Sequence, residues 1–173
     1  MSPSGNSETD DILFHTHMDR DELIELLKNY QGNHWEGPSR NGLLVNFSNC
    51  VKREYSWNEK VLLALLEEFH GKSDVWDYYY SGLDKSEFTT EEYIHLLKLM
   101  KKEWLVLEQS RNMSNILEKC LAQKETKNYF KKYREQLFEI SVYIWNNRKS
   151  EEGYETPDLM TRCINCTTGL ITS

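Results

Sequence analysis

Apolar side chains recur at helical spacing through most of this chain, and helix-capping residues precede several of these runs. Asp19 with Glu22, and Thr89 with Glu92, have the spacing of a capping box, in which two side chains satisfy free backbone N–H groups reciprocally. The 173 residues include only eight Gly and three Pro, fewer turn-forming residues than a sheet protein with many hairpins requires. We therefore predict an all-α fold.

The apolar runs and their boundaries predict about six helices. In chain order they cover residues 19–31, 43–51, 56–70, 75–80, 89–121 and 127–148. The second is the weakest, because Leu43-Leu44-Val45 would equally suit the start of a strand. Ser56 and Glu59 have the spacing of a capping box at the start of the third helix. Gly82 is expected to end the fourth helix. The largely polar residues 109–114 predict a bend in the fifth helix.

Short connections between these helices predict a single domain, built as an irregular bundle or a short stack of helical hairpins. We expect a flexible leader over residues 1–17, the helical domain over 18–149, and a loosely structured tail over 150–173. Leu66 and Leu97 lie at the centres of apolar faces. Both are therefore expected to be buried in the core.

Charge and composition narrow the range of partners and locations. A formal net charge of −7 opposes phosphate binding, so nucleic acid is an unlikely partner for the whole chain. The sequence has no run of about 20 apolar residues and no recognisable targeting signal, which predicts a cytoplasmic or nuclear location and no membrane span. In those compartments its cysteines should be reduced thiols.

The motif Glu-x-x-His occurs twice, as Glu67 to His70 and as Glu92 to His95. Di-iron helical bundles use two such motifs together with further glutamates, so one hypothesis is a metal-dependent enzyme that holds iron or zinc here. The competing interpretation assigns Glu92 to the capping box and places His70 at a helix C-terminus, where a cation is stabilised. We favour the second interpretation and expect no cofactor.

Two further patterns resemble metal sites. His15-Thr16-His17-Met18-Asp19 has the HxHxD spacing of metallohydrolases, although Asp19 is better explained as a helix cap. Cys163 and Cys166 form a CxxC pair, but a structural zinc ion needs four ligands. We expect an incidental pair, and the sequence leaves open whether these two cysteines bind metal.

Residues 119–134 carry six basic side chains and one acidic one, with three aromatic residues between them. This composition is typical of surfaces that bind single-stranded nucleic acid, which gives an RNA-binding helical domain as an alternative function. The aromatic residues of this segment, Tyr129, Phe130 and Tyr133, fall on the predicted buried arc of the last helix. We therefore favour a solvated basic face, which an acidic partner would also suit.

The sequence Trp76-Asp77-Tyr78-Tyr79-Tyr80 lies in a helix predicted to be too short to bury all its aromatic rings. Val75 and Tyr79 can face the core together, which leaves Trp76 and Tyr80 as a second, exposed pair. With Asp77 and Tyr78 they would form a partner-binding surface, since Trp and Tyr dominate interaction hot spots. Because no complete catalytic constellation is present, the leading hypothesis is a non-catalytic adaptor or scaffold domain that binds another protein.

Overall fold

The computed structural model describes residues 18–31, 39–71 and 73–149, and within these ranges the chain is helical with no β-strand. The eight helices within these ranges are α1 (Arg20–Asn29), α2 (Arg40–Arg53), α3 (Tyr55–Glu68), α4 (Asp74–Asp84), α5 (Thr90–Leu99), α6 (Glu103–Ala122), α7 (Lys124–Asn128) and α8 (Phe130–Asn147). The predicted all-α class is confirmed. The predicted leader and tail lie outside the described residues.

The helix number differs from the six predicted because two breaks were missed. The fifth predicted helix is two helices, since Lys102 has extended backbone angles and separates α5 from α6. Ahead of α8, the five-residue α7 ends at Asn128, and the non-helical backbone angles of Tyr129 separate the two helices. The bend expected within residues 109–114 is present, because Gln109 has non-helical backbone angles (φ −125°, ψ 18°) inside α6.

Helix caps account for several of the boundaries. Both predicted capping boxes at Asp19/Glu22 and Thr89/Glu92 are present, so the starts of α1 and α5 are fixed by local sequence. Ser73 caps α4 by accepting from the Val75 backbone N–H. The capping box predicted at Ser56 and Glu59 is wrong: α3 begins at Tyr55 after Glu54, and the Ser56 hydroxyl donates to the Glu54 carboxylate.

The helices group into two compact units, Met1–Glu87 and Phe88–Ser173, and each is described by itself. In the first unit α2 packs extensively against α4 and also contacts α3, and α1 contacts α3. The most buried large side chains of this unit are Leu27, Leu44, Phe47, Leu62, Leu65, Trp76, Tyr79 and Leu83. All four helices that the structure describes in the first unit therefore contribute to its core.

Gly82 sets how closely α2 and α4 approach. A Cβ atom built at this glycine would collide with the Ser48 backbone oxygen and lie 2.9 Å from the Val51 Cβ. The absence of a side chain therefore allows the two backbones to come into contact. Gly82 was predicted to end α4, and that prediction is wrong because the helix continues to Asp84.

Arg40, the first residue of α2, forms hydrogen bonds to the start of α4 and to the end of α1. Its Nε and one terminal nitrogen donate to the two Asp74 carboxylate oxygens at 3.1 and 3.0 Å, which fixes the start of α4. Its other terminal nitrogen donates to the Tyr30 backbone oxygen at 2.9 Å, at the end of α1. The guanidinium lowers the pKa of the Asp74 carboxyl by this hydrogen bonding.

In the second unit α6 packs against α8 and α5, and α5 also contacts α8. The buried side chains that these three helices share include Tyr93, Leu96, Leu97, Leu105, Met113, Ile116, Leu137, Ile140 and Ile144. None of the helices that the structure describes combines the length and the apolar composition needed to cross a membrane.

A buried hydrogen-bond network holds the start of α5 against the turn between α6 and α7. The Thr90 hydroxyl lies 2.7 Å from the Thr126 hydroxyl and 2.9 Å from the Gln123 side-chain oxygen. The Thr126 hydroxyl also donates to the Cys120 backbone oxygen at 2.6 Å. Both threonine residues are fully buried, and a buried polar group is stable only when it is paired.

We predict that Leu65→Ala and Leu97→Ala each lower the free energy of unfolding by about 2 to 5 kcal/mol, because both side chains are fully buried. Leu63→Ala is the matched control in α3, since its side chain is 44% exposed and it should change stability little. Urea unfolding followed by circular dichroism measures all three. The expected burial of Leu66 is only partly met, since that side chain is half-buried. Equal effects at Leu63 and Leu65 would contradict this assignment of the core.

Candidate functional site

The aromatic run of α4 does not form the exposed surface that its sequence predicted. Trp76 and Tyr80 are 0% and 3% exposed, so the expectation that this pair faces solvent is wrong. The Trp76 indole N–H donates to the Phe69 backbone oxygen at 2.7 Å. The reason is the length of α4: it continues past Gly82, and its wide apolar face packs against α2.

Asp77 and Tyr78 are the two members of the predicted surface that remain accessible. Asp77 is exposed, and Tyr78 is half-buried with its hydroxyl donating to the Asn41 side-chain oxygen. Neither lies beside an exposed aromatic ring of α4, because Trp76 and Tyr80 contact each other and Tyr79 in the core. The aromatic anchor expected at this surface is therefore missing from it.

A buried tyrosine on α4 is held by a side-chain amide of α3. The Tyr79 hydroxyl donates to the Asn58 side-chain oxygen at 2.7 Å, and the Asn58 amide donates to the Val51 backbone oxygen at 3.0 Å. Burial raises the pKa of Tyr79 well above its ordinary value, and burial likewise raises the pKa of Tyr80. Both phenols are neutral at physiological pH. These two hydrogen bonds thus connect α2, α3 and α4 through uncharged groups alone.

The residues of the alternative metal site are engaged in other contacts within their own units. Glu67 forms an ion pair with Arg20, and the His70 ring nitrogen Nε2 lies 2.7 Å from the Leu66 backbone oxygen. Glu92 accepts from the Thr89 backbone N–H at 2.9 Å, as the capping-box interpretation predicted. His95 is exposed on α5.

Among residues 18–31, 39–71 and 73–149, no group of three or more His, Cys, Asp or Glu side chains is placed to hold a metal ion. Cys50 and Cys120 are buried thiols there, and burial raises the pKa of Cys120 to about 11. Asp19 caps α1, whereas His15, His17, Cys163 and Cys166 lie outside the described residues. The di-iron hypothesis therefore has no support in this part of the chain.

The basic segment of residues 119–134 divides between core and surface. Tyr133 is buried, as its position on the apolar arc predicted, whereas Tyr129 is 62% exposed because it lies in the break between α7 and α8. Lys119 lies over the Tyr93 ring, with its ammonium nitrogen 5.9 Å from the ring centroid. The other basic residues of the segment, Lys124, Lys127, Lys131, Lys132 and Arg134, are exposed.

A groove runs between α5 and α8, whose side chains meet along its length. Lys132 pairs with Glu91 at 2.6 Å, and Lys98 donates to the Gln136 side-chain oxygen. The groove contains a cavity of about 260 Å³ lined by Glu91, Ile94, His95, Lys98, Lys132, Tyr133 and Gln136. Sequence reasoning singled out three of these residues, His95, Lys132 and Tyr133, but for two different sites.

The charges of this groove are coupled. Hydrogen bonding to Lys132 lowers the pKa of Glu91, and hydrogen bonding to Glu91 raises the pKa of Lys132, so both stay ionised at physiological pH. The Tyr133 hydroxyl lies 3.4 Å from carboxylate oxygens of both Glu91 and Glu125. Tyr133 therefore connects α8 to the acidic side chains of α5 and α7.

The outward face of α8 carries the exposed apolar residues that the aromatic run of α4 lacks. Phe138 and Val142 are 47% and 40% exposed and lie four residues apart, so their side chains are neighbours on one helix face. Trp145, half-buried, follows on the same side and has the Arg148 guanidinium stacked 3.3 Å from a ring centroid. The sequence analysis did not single out Phe138 or Trp145 as candidate binding residues, and this face was therefore not predicted.

Comparison with protein-family models, with curated proteins and with solved structures finds no match to this chain.

We predict that Trp76→Ala and Tyr80→Ala each lower the free energy of unfolding by about 3 to 5 kcal/mol, as expected for large aromatic residues removed from a core. Asp77→Ala, an exposed position between them, is the control and should leave the melting temperature nearly unchanged. Circular dichroism during thermal unfolding compares the three variants. A Trp76→Ala/Tyr80→Ala double variant as stable as the wild type would contradict the burial of these two rings.

Proposed function

We propose that this chain is a non-catalytic helical module that binds another protein through the outward face of α8. The observation that carries the proposal is the exposure of Phe138 and Val142, one turn apart on a helix whose opposite face is buried. Neighbouring exposed apolar residues are typical of interaction surfaces, and an aromatic side chain often supplies most of the binding energy. The proposal keeps the predicted adaptor function and relocates its surface from α4.

Basic residues lie at the two ends of this face, and Glu135 and Glu139 are exposed along its side, which favours an amphipathic helical partner with acidic side chains near its ends. Lys131 and Arg134 lie one to two turns before Phe138, where they continue the basic segment. Arg148 closes the other end of the face beside Trp145. An amphipathic helix could cover the apolar pair with one face, and its acidic side chains would lie opposite the basic ends.

We predict that replacing both Phe138 and Val142 with Ala weakens the binding free energy of the partner by about 2 kcal/mol or more, as expected for residues that anchor an interface. The partner is first captured with the wild-type chain and identified by mass spectrometry, then titrated calorimetrically against purified variants. Circular dichroism should show an unchanged fold, because both residues lie at the surface and neither belongs to the buried core.

Leu107→Ala is the matched control for this experiment. Leu107 belongs to the same unit and is 47% exposed, as is Phe138, but it lies on α6. A partner that binds the Phe138→Ala/Val142→Ala variant as tightly as the wild type would move the interface away from α8. Equal losses in the Leu107 control would mean that general surface hydrophobicity, and not this face, drives binding.

A second candidate function is RNA binding, which the 62% exposure of Tyr129 among exposed lysine residues favours. An exposed aromatic ring can stack on a base while neighbouring ammonium groups neutralise phosphates. We predict that Tyr129→Ala then weakens binding of a single-stranded RNA oligonucleotide by about 1 to 3 kcal/mol. Affinity would also fall steeply with salt in fluorescence anisotropy. Binding unchanged by the substitution would argue for the protein partner alone.

A further inference from the structure

The groove between α5 and α8 has a net positive lining over an apolar floor. Its lining residues include two lysine residues, Lys98 and Lys132, and one carboxylate, Glu91. A second carboxylate, Glu125, lies beside the lining, 3.4 Å from the Tyr133 hydroxyl. The floor of the groove includes Ile94 and Tyr133, which are only 3% and 2% exposed. Such a lining suits a ligand with an anionic end, because the lysine charges attract it and the buried floor limits its depth.

The two ammonium groups differ in what they contact. Lys132 pairs with the Glu91 carboxylate at 2.6 Å, so an anionic oxygen is already accommodated at that point of the groove. Lys98 donates to the neutral side-chain oxygen of Gln136, which leaves its charge uncompensated by that contact. The Glu91–Lys132 pair is exposed on both sides, at 61% and 62%, and an exposed pair of this kind is readily exchanged for another anion.

We propose that this groove binds a phosphate group, either free or as a monoester, with Lys98 and Lys132 as its two counter-charges and His95 at its edge. A phosphate monoester carries a charge of about −1.5 to −2 near neutral pH, which two lysine residues can neutralise. A carboxylate ligand carries a single negative charge and would neutralise only one of the two lysine residues. The cavity of about 260 Å³ has room for such a group. The same chemistry could be supplied by free phosphate or by a phosphorylated side chain of a peptide.

Glu91 competes for Lys132 and repels an incoming anion, so substitutions on the two sides of the groove should act in opposite directions. Glu91→Gln removes the competing charge and should strengthen phosphate binding by about tenfold, whereas Lys98→Gln and Lys132→Gln should each weaken it by about tenfold. A gain of affinity cannot result from loss of folding. The opposite signs therefore separate a site from a damaged protein.

The experiment titrates ¹⁵N-labelled full chain with inorganic phosphate, with a phosphoserine peptide, and with the unphosphorylated form of that peptide. Saturable amide shifts confined to residues 91–98 and 132–136 are expected with the phosphorylated ligands. Tighter binding of the phosphopeptide than of inorganic phosphate would support the groove and identify a phosphorylated side chain as the source. Equal affinity for inorganic phosphate would support it with free phosphate as the source.

Two matched controls change the same charges elsewhere in the unit. Glu135→Gln on α8 and Lys127→Gln on α7 alter exposed side chains that do not line the cavity. Both should leave the affinity unchanged. If these control variants change the affinity as much as the Glu91 and Lys98 variants do, the effect reflects only the net charge of the protein, and the proposal is overturned. Equal binding of the unphosphorylated peptide, or shifts that do not saturate, would also overturn it.

Discussion

The close contact between α2 and α4 is the constraint on which the first unit depends. Because Gly82 has no side chain, α4 approaches the Ser48 backbone and the Val51 side chain of α2 directly. At that separation the broad apolar face of α4 is covered, and both Trp76 and Tyr79 become fully buried. Burial on this scale requires partners for the polar ends of the rings, and the Phe69 backbone oxygen and the Asn58 side chain supply them.

Local sequence predicted the helices well and their tertiary contacts poorly. Asp19 and Thr89 cap their helices through residues three positions away, so their role can be derived from spacing alone. The burial of Trp76 could not be derived in this way, because it depends on Gly82, and a glycine ends a helix in one context and permits close helix packing in another. Gly82 was assigned the first role and has the second.

The candidate surfaces of the second unit likewise depend on tertiary contacts that local sequence does not predict. The basic character of residues 119–134 is evident from composition, but the groove also requires Glu91, His95 and Lys98 from α5, some forty residues earlier in the chain. Periodicity placed Tyr129 and Tyr133 on one buried arc. The break between α7 and α8 separates them, so Tyr133 lies in the core while Tyr129 faces solvent.

The bend at Gln109 has a consequence for how α6 resists local opening. It leaves an initial helical segment of only about two turns, from Glu103 onward, before the regular part of the helix. Segments this short are not stable alone in water, so the helicity of this one rests on the burial of Leu105 and Val106. We therefore expect the protection of its amide protons from exchange to depend on tertiary packing, whereas those of the longer second segment should also benefit from the cooperativity of consecutive helical turns.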